Sequence, residues 1–273
     1  MKRFSDKIGP FSIALAFLMP VAIESALLAE VVPEVLIGER EGGRWNYDIQ
    51  TEPQDEDDDI QQLKKEAEEA KKLQNYSEAI DLYERILILE NERIIRDGKS
   101  GKNKKYWHQH PARFTLRNLA RLYKRQGIYD KAETLYLRLL SIDEKAIGPE
   151  NPNTASTLMD LATLYKLLGN YSKAEPLYLR SLSIKEKTLG PEHSGTAISL
   201  NNLGLLYVYQ GKYSKAEPLY LRTLSINEKT YGPEHLFVGK SLHNLANLYK
   251  SKGLFSKAES LYLRALSILE KDL

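Results

Sequence analysis

The apolar positions of the chain predict pairs of amphipathic helices. In the first helix of one pair, apolar residues recur at steps of three and four and so share one face, and they are Leu158, Leu161, Ala162, Tyr165 and Leu168. A second apolar face follows at Ala174, Leu177, Tyr178 and Leu182. Gly169 separates the two faces, since glycine accepts the left-handed conformation of a helix end. Gly190 and Pro191 close the pair, because proline cannot continue a helix.

This helical pair recurs at a fixed step of 42 residues. The step separates successive members of several sets, among them Gly148, Gly190 and Gly232, and Tyr123, Tyr165, Tyr207 and Tyr249. Small residues occupy the positions where paired helices are expected to touch, namely Ala120, Ala162, Gly204 and Ala246 on the first helix and Ala132, Ala174, Ala216 and Ala258 on the second. A single helical hairpin cannot bury both of its faces, so successive hairpins must stack into a solenoid.

The repeated residues carry a family resemblance. The first-helix sequence L-A-x-L-Y at 161–165, the turn from Gly169 to Tyr171, and the second-helix Ala174 and Tyr178 resemble the tetratricopeptide repeat. The 42-residue length, the GPEH linker and the sequence AEPLYLRxLSI are similar to the kinesin-light-chain type of that repeat. The resemblance covers about residues 111–273 and implies an all-α fold, a right-handed solenoid of helical hairpins. Its four repeats are expected at about 111–150, 151–192, 193–234 and 235–273.

Residues 60–95 are predicted to be a degenerate copy of the same repeat. Ala67, Ala79 and Tyr83 fall in register with the small and aromatic positions of the regular copies, but Gln74 stands where those copies have the turn glycine. The first helix of this copy is very polar. A terminal repeat has no neighbour on one side and therefore needs a polar outer face. We interpret this copy as an N-terminal capping repeat.

Residues 1–29 follow a different pattern. A positive start precedes an apolar run of 13 residues at 11–23, and small residues follow, an order that resembles a secretory signal. The run is short for a membrane span, which needs about 20 apolar residues. A cleaved signal, an uncleaved membrane tether and an ordinary N-terminal helix are the alternatives. We expect an exported protein, periplasmic or secreted, or a membrane-tethered one, with a cytoplasmic protein as the alternative.

Two further segments interrupt the repeats. Residues 30–59 contain prolines, glycines and an acidic run, and are predicted to be a disordered acidic linker. Residues 96–110 form a basic insert that we interpret as a solvated loop. In this insert, His108 and His110 lack a third metal ligand, so they form a weak candidate metal site. Its lysines beside aromatic residues are an equally weak indication of nucleic acid or of an anionic surface.

Composition narrows the function classes. The chain has 273 residues and a net charge of +2, which is too small to indicate a nucleic-acid or membrane partner. A membrane contact is expected only if the N-terminal segment stays uncleaved. Cysteine is absent, which excludes disulfides, a thiol nucleophile and thiolate metal sites. General acid–base catalysis needs a paired group tuned by its environment, and the sequence offers no such set. We therefore predict no enzymatic activity, no cofactor and no metal site.

The candidate binding residues share one face of the first helices, opposite the tyrosines. Most of them differ between copies, and the family resemblance places this face along a concave groove. The set consists of Arg117, Asn118, Arg121, Lys124, Asp160, Thr163, Lys166, Asn201, Asn202, His243, Asn244, Asn247 and Lys250. In similar proteins an asparagine row here holds the backbone of an extended peptide, since an amide both donates and accepts. The alternative is that each asparagine bonds only a neighbouring helix.

The charged members of this set describe the expected ligand. Arginine and lysine form charge-assisted bonds with acidic groups, and Asp160 interrupts the asparagine row, so an acidic or mixed-charge segment is expected. The predicted function is a non-catalytic protein–protein interaction scaffold that binds an extended peptide segment of a partner protein. The alternatives are a self-assembling structural protein and a non-catalytic subunit of an enzyme or membrane complex. We expect a monomer or at most a weak dimer.

Overall fold

The computed structural model describes residues 53–99 and 112–270, and within these ranges every regular element is an α-helix. The helices are α1 Pro53–Lys72, α2 Tyr76–Lys99, α3 Ala112–Arg125, α4 Tyr129–Ala146, α5 Pro152–Leu167, α6 Tyr171–Thr188, α7 Ser194–Tyr209, α8 Tyr213–Tyr231, α9 Leu236–Ser251 and α10 Phe255–Glu270. They belong to one compact unit, Thr51–Leu273. The signal-like segment 1–29, most of the predicted linker, and most of the basic insert with His108 and His110 lie outside the described residues.

Successive helices pair into hairpins that stack in chain order. The pairs are α1 with α2, α3 with α4, α5 with α6, α7 with α8, and α9 with α10. Each second helix also packs against the first helix of the following hairpin. We refer to α1–α2 as the N-terminal repeat and to the other pairs as regular repeats one to four. For the described residues, this arrangement confirms the predicted all-α solenoid of helical hairpins.

The turn inside each hairpin depends on one residue in the left-handed region. At Gly169 the φ angle is 71°, and the next residue, Asn170, donates its backbone N–H to the Tyr165 carbonyl over 2.8 Å. This bond satisfies a carbonyl that the end of a helix leaves free. In the N-terminal repeat Gln74 adopts the same conformation, with a φ of 60°. A side chain in this conformation costs about 1–2 kcal/mol, so this turn is strained where the glycine turns are not.

The core lies between paired helices, where small residues meet tyrosines. Ala162, Ala174 and Tyr178 are all fully buried. The helices approach so closely that a Cβ atom added to Gly204 would lie 2.9 Å from Cε1 of Tyr220. This packing of large against small side chains confirms the prediction made from the repeated alanines, and it fills the interior without voids.

Two helices in the N-terminal repeat are longer than predicted. Helix α1 begins at Pro53, so residues 53–59 belong to this repeat and not to the acidic linker. Acidic residues stabilise a helix start through the macrodipole, and Asp57 forms an ion pair with Arg93 of α2. Helix α2 continues to Lys99, so residues 96–99 are helical rather than part of the inserted loop. Residues 53–59 and 96–99 do not follow the repeat pattern, so the sequence did not predict these helical turns.

Charges that recur in each copy pair between neighbouring second helices. Arginine of one repeat contacts glutamate of the repeat before it, in Arg180–Glu144 at 2.7 Å, Arg222–Glu186 at 2.5 Å and Arg264–Glu228 at 2.8 Å. We call these pairs the second-helix ladder. Each side chain in it is between 34% and 42% exposed. The arginine and the glutamate of this ladder each recur at the 42-residue step, so the partly solvated pairs repeat together with the fold.

The first helices approach one another more closely than the second helices do. Asn244 donates its side-chain amide to the side-chain oxygen of Asn201 over 2.8 Å, so two short side chains suffice to join α9 to α7. The second helices are joined by long arginine and glutamate side chains. Helix α5 also contacts α7 directly, as α7 contacts α9. The first helices therefore form the inner side of the stack.

Candidate functional site

The predicted binding residues lie on the inner side of α3, α5, α7 and α9, which we call the first-helix surface. Side chains from neighbouring helices meet along it. Arg121 of α3 donates to Asp160 of α5 over 2.9 Å. Asn202 of α7 donates its side-chain N–H to Sδ of Met159 in α5 over 3.4 Å, and the Asn244–Asn201 bond joins α9 to α7. The stack therefore turns residues separated by about one repeat length into neighbours on one surface.

The arginines of regular repeat one converge on two carboxylates. Arg117 donates to the Thr157 hydroxyl over 2.7 Å and lies 3.6 Å from Asp143 and 4.0 Å from Asp160. Burial lowers the pKa of Arg117, whereas the charges of Asp160 and Asp143 act in the opposite direction. Its side chain is only 24% exposed, against 51% for Arg121. Arg117 thus mainly joins the repeats, while Arg121 presents its guanidinium to solvent.

Among the described residues, three lysines of this surface form no ion pair: Lys124 and Lys166, which are partly buried, and Lys250, which is exposed. Lys124 lies over the Tyr136 ring at 5.9 Å and Lys166 over the Tyr209 ring at 5.5 Å. Burial lowers the pKa of Lys124, with Asp160 acting against this effect. Burial and the charge of Lys124 both lower the pKa of Lys166. Two half-buried ammonium groups that repel each other would both gain from an added anion.

The asparagines are partly occupied by bonds within the stack. The Asn118 side chain accepts from Lys71 over 3.0 Å and donates to the Phe114 carbonyl over 3.2 Å. Asn202 donates to the Ile198 carbonyl over 2.9 Å. No described residue donates to Oδ1 of Asn202 or of Asn244, so these acceptors are available to a ligand. The asparagines of this row therefore form bonds within the stack, and two of them still have a side-chain oxygen that can bond a ligand.

The remaining predicted residues differ in how accessible they are. The Thr163 hydroxyl is occupied, since it lies 2.8 Å from both the Met159 carbonyl and the Tyr178 hydroxyl. Oδ1 of Asn247 accepts from the Tyr262 hydroxyl over 2.6 Å, and the His243 ring contacts the ring of Tyr262 with their centroids 5.5 Å apart. The last predicted residue, Lys250, is exposed. Thr163 is thus the member of the set least able to bond a ligand.

Large apolar side chains on the same surface escaped the sequence reasoning. They are Phe114, 51% exposed, Leu167, 54%, Ile198, 52%, and Tyr209, 59%. Phe114 precedes Asn118 by four residues, which is about one helical turn, and Ile198 precedes Asn202 by the same step. Phe114 and Ile198 therefore lie on the same helical face as the asparagines. Their apolar character pointed to the core instead, although this surface also offers apolar contacts to a ligand.

The described ranges contain neither a metal-holding cluster nor a membrane-spanning helix. Across residues 53–99 and 112–270, no group of three or more histidine, aspartate or glutamate side chains is arranged to hold a metal ion. Within the same ranges, no helix is both long and apolar enough to cross a membrane.

Comparison with known proteins places the chain among repeat proteins. The family model of the tetratricopeptide repeat matches residues 112–187, 168–229 and 196–271. No curated protein matches the chain. The solved structure of BtubC (BKLC) from P. vanneervenii is 24% identical with a TM-score of 0.61, over 79% of this chain and 91% of that one. A Podosopora anserina protein assigned as a kinesin light chain with nearly identical TPR-like repeats is 24% identical with a TM-score of 0.62, over 78% and 96%.

At these identities the two solved structures show the fold alone. Together with the family match, that fold supports a protein-interaction scaffold, because repeats of this kind present an extended surface to other proteins.

Proposed function

Because the chain belongs to the tetratricopeptide-repeat family, we propose that it is a non-catalytic scaffold that binds an extended segment of a partner protein. One observation carries the proposal. Most residues of the first-helix surface change from repeat to repeat, whereas the second-helix ladder repeats the same arginine and glutamate at each step between regular repeats. Stability needs the same contacts in each repeat, but recognition of a particular partner needs contacts that differ.

The chemistry of the first-helix surface describes the segment that it would bind. Arg121, Lys124 and Lys166 lie toward regular repeats one and two and attract acidic groups. Asn202 and Asn244 lie in repeats three and four, where their amide groups donate within the stack and their side-chain oxygens can accept backbone N–H bonds from a ligand. Exposed Leu167, Ile198 and Tyr209 lie among these polar groups. We expect an extended segment that has an acidic part and apolar side chains, and whose backbone N–H groups are free to bond the asparagines.

Peptide selection tests this function directly. Random peptides displayed with free C termini are selected on the full chain, and binding of the selected peptides is measured by calorimetry. The double variant N202A/N244A should weaken binding about tenfold, because each lost amide contact contributes modestly to affinity. The matched control S183A/S225A changes exposed serines on second helices and should leave binding unchanged. Unaltered binding of every selected peptide by N202A/N244A would show that the groove assignment is wrong.

Self-assembly is a second candidate role, favoured by α10. Leu266 is 51% exposed, whereas Leu182, its counterpart in regular repeat two, is 9% exposed because the next repeat covers it. Leu263 beside it is 61% exposed. Light scattering of the full chain over a range of concentrations distinguishes the roles. A constant monomer mass would exclude self-assembly through α10, and a dimer dissociated by L263E/L266E would support it.

A further inference from the structure

A buried polar residue lies at every junction between consecutive repeats. It belongs to the second helix of one repeat, and a buried hydroxyl on the next first helix occupies the matching register. The second-helix residues are Glu90, Asp143, Lys185 and Asn227, and the hydroxyl residues are Thr115, Thr157, Ser199 and Ser241. All of them are at most 9% exposed. The position is the same at each junction, but its charge changes from negative to positive to neutral.

At three of these junctions the second-helix residue is paired with another side chain, although the Thr115 hydroxyl beside Glu90 is buried without a hydrogen-bond partner. Glu90 forms an ion pair with Lys64 at 2.8 Å. Asn227 donates to the Ser241 hydroxyl over 2.8 Å.

Asp143 illustrates full satisfaction of a buried carboxylate. It pairs with Arg113, lies 3.6 Å from Arg117 and accepts from the Thr157 hydroxyl over 2.6 Å. A buried charge requires such partners, because burial without them is costly.

The junction between regular repeats two and three is the exception. Lys185 is 5% exposed, yet it forms no hydrogen bond or ion pair with any described residue. The Ser199 hydroxyl, in matching register, is buried and has no hydrogen-bond partner. Met159 takes the register position at which Lys64 and Arg117 supply a counter-charge to the preceding junctions. The Lys185 side chain and the buried Ser199 hydroxyl thus both lack a protein partner at one junction.

The electrostatics of this junction agree with its geometry. Burial lowers the pKa of Lys185, and the charge of Asp160 acts in the opposite direction. Asp160 is not free to serve Lys185 alone, because it accepts from Arg121 over 2.9 Å and lies 4.0 Å from Arg117. The neighbourhood therefore has more cations than carboxylates, and an added carboxylate would reduce this imbalance.

We propose that this junction receives a carboxylate of the bound segment. Lys185 and Ser199 would donate to it, in the way that Thr157 donates to Asp143 and Arg117 forms an ion pair with Asp143 at the preceding junction. The proposal rests on the function proposed above. Entry is from the first-helix surface beside Met159 and Asn202, which are held together only by the weak amide–thioether contact of 3.4 Å. Methionine has a flexible side chain and adapts readily to an arriving ligand.

The decisive variant is K185N, because it copies the Asn227–Ser241 pair of the following junction. It removes the ammonium group and gives Ser199 a partner, so the fold should be retained. Random peptides with free C termini are selected in parallel on wild-type and K185N full-length chains. Wild type should select peptides with an acidic group at a fixed position, and K185N should lose that preference.

Affinities of synthetic peptides then locate the carboxylate. Replacing the selected aspartate or glutamate by its amide should weaken binding to wild type about 10- to 100-fold, and hardly at all to K185N. The same comparison between free and amidated C termini distinguishes a terminal from a side-chain carboxylate. A second variant, K185M, removes the charge without adding a polar group, and its circular dichroism and that of K185N verify folding.

The possible outcomes separate this inference from the proposed function. If wild type selects peptides but K185N and K185M keep the same acidic preference and affinity, the carboxylate site is refuted and the scaffold function stands. If wild type selects only peptides that have no acidic residue at a fixed position, the carboxylate site is likewise refuted and the scaffold function stands. If wild type selects no peptide, the proposed function fails, and the site fails with it.

Discussion

The outer and inner sides of the repeat stack use the same kinds of charged residues in different ways. On the outer side, Arg222–Glu186 and its equivalents recur at each step between regular repeats, and their side chains stay 34–42% exposed. On the inner side, Arg113, Arg117 and Arg121 converge once, in regular repeat one, on Asp143 and Asp160. Asp143 is completely buried. The comparison suggests that repetition keeps the stack regular, whereas charges that occur once give one region its own chemistry.

The largest expected effect comes from disrupting the buried cluster formed by Asp143, Arg113, Arg117 and Thr157. The variant D143N keeps the size of the side chain but leaves the partly buried guanidinium groups of Arg113 and Arg117 without their main carboxylate. We expect the free energy of unfolding to fall by about 3 kcal/mol, measured by urea denaturation. T157V removes the hydroxyl that donates to Asp143 and accepts from Arg117, so it should cost about 2 kcal/mol. Equal stability of D143N and wild type would show that the cluster does not hold the repeats together.

The pH dependence of stability should have opposite signs at the buried Glu90 and at the partly exposed Glu217. Burial raises the pKa of Glu90, against the effect of Lys64, so its contribution to stability falls as pH rises from about 4.3 through its folded pKa. The hydrogen bond from Lys252 lowers the pKa of Glu217, so its contribution is complete above about pH 4.3 and is lost as pH falls through its folded pKa.

The variants E90Q and E217Q measure these two contributions. The difference in unfolding free energy between wild type and variant should decrease with rising pH for E90Q and increase for E217Q, each by about 1 kcal/mol or less. Urea denaturation between about pH 2.5 and pH 7 gives both curves, because the Glu217 contribution changes below about pH 4.3 and that of Glu90 above it. If this difference changed with pH in the same direction for E90Q and E217Q, the contrast between buried Glu90 and hydrogen-bonded Glu217 would be wrong.

The smallest effect is expected on the second-helix ladder. R264Q removes an ion pair whose partners, Arg264 and Glu228, are 42% and 34% exposed. Solvent screens such a pair, so the loss should be about 0.5 kcal/mol and should shrink further in high salt. A loss as large as that of D143N would mean that the exposed ladder, and not the buried cluster, carries the stability of the junctions.

Much of the candidate site followed from spacing, but its chemistry did not. The steps of three and four placed Arg117, Asn118 and Arg121 on one face, and the structure keeps them on the first-helix surface. Spacing could not show that Arg117 turns toward Thr157 and Asp143 while Arg121 remains half exposed. Those partners come from other helices, and their distance along the chain hides them from a local pattern.

The sequence by itself determined the helical hairpins, their number in the regular region, the small residues between paired helices, and the ladder of recurring charges. These features follow from local periodicity and from one fixed step, and both are visible along the chain. Only the tertiary structure decided where α1 begins, which apolar residues stay uncovered, and why Lys185 is buried without a partner. Burial and pairing depend on which side chains meet when repeats stack, and a single residue such as Met159 can remove a counter-charge without altering the repeat pattern.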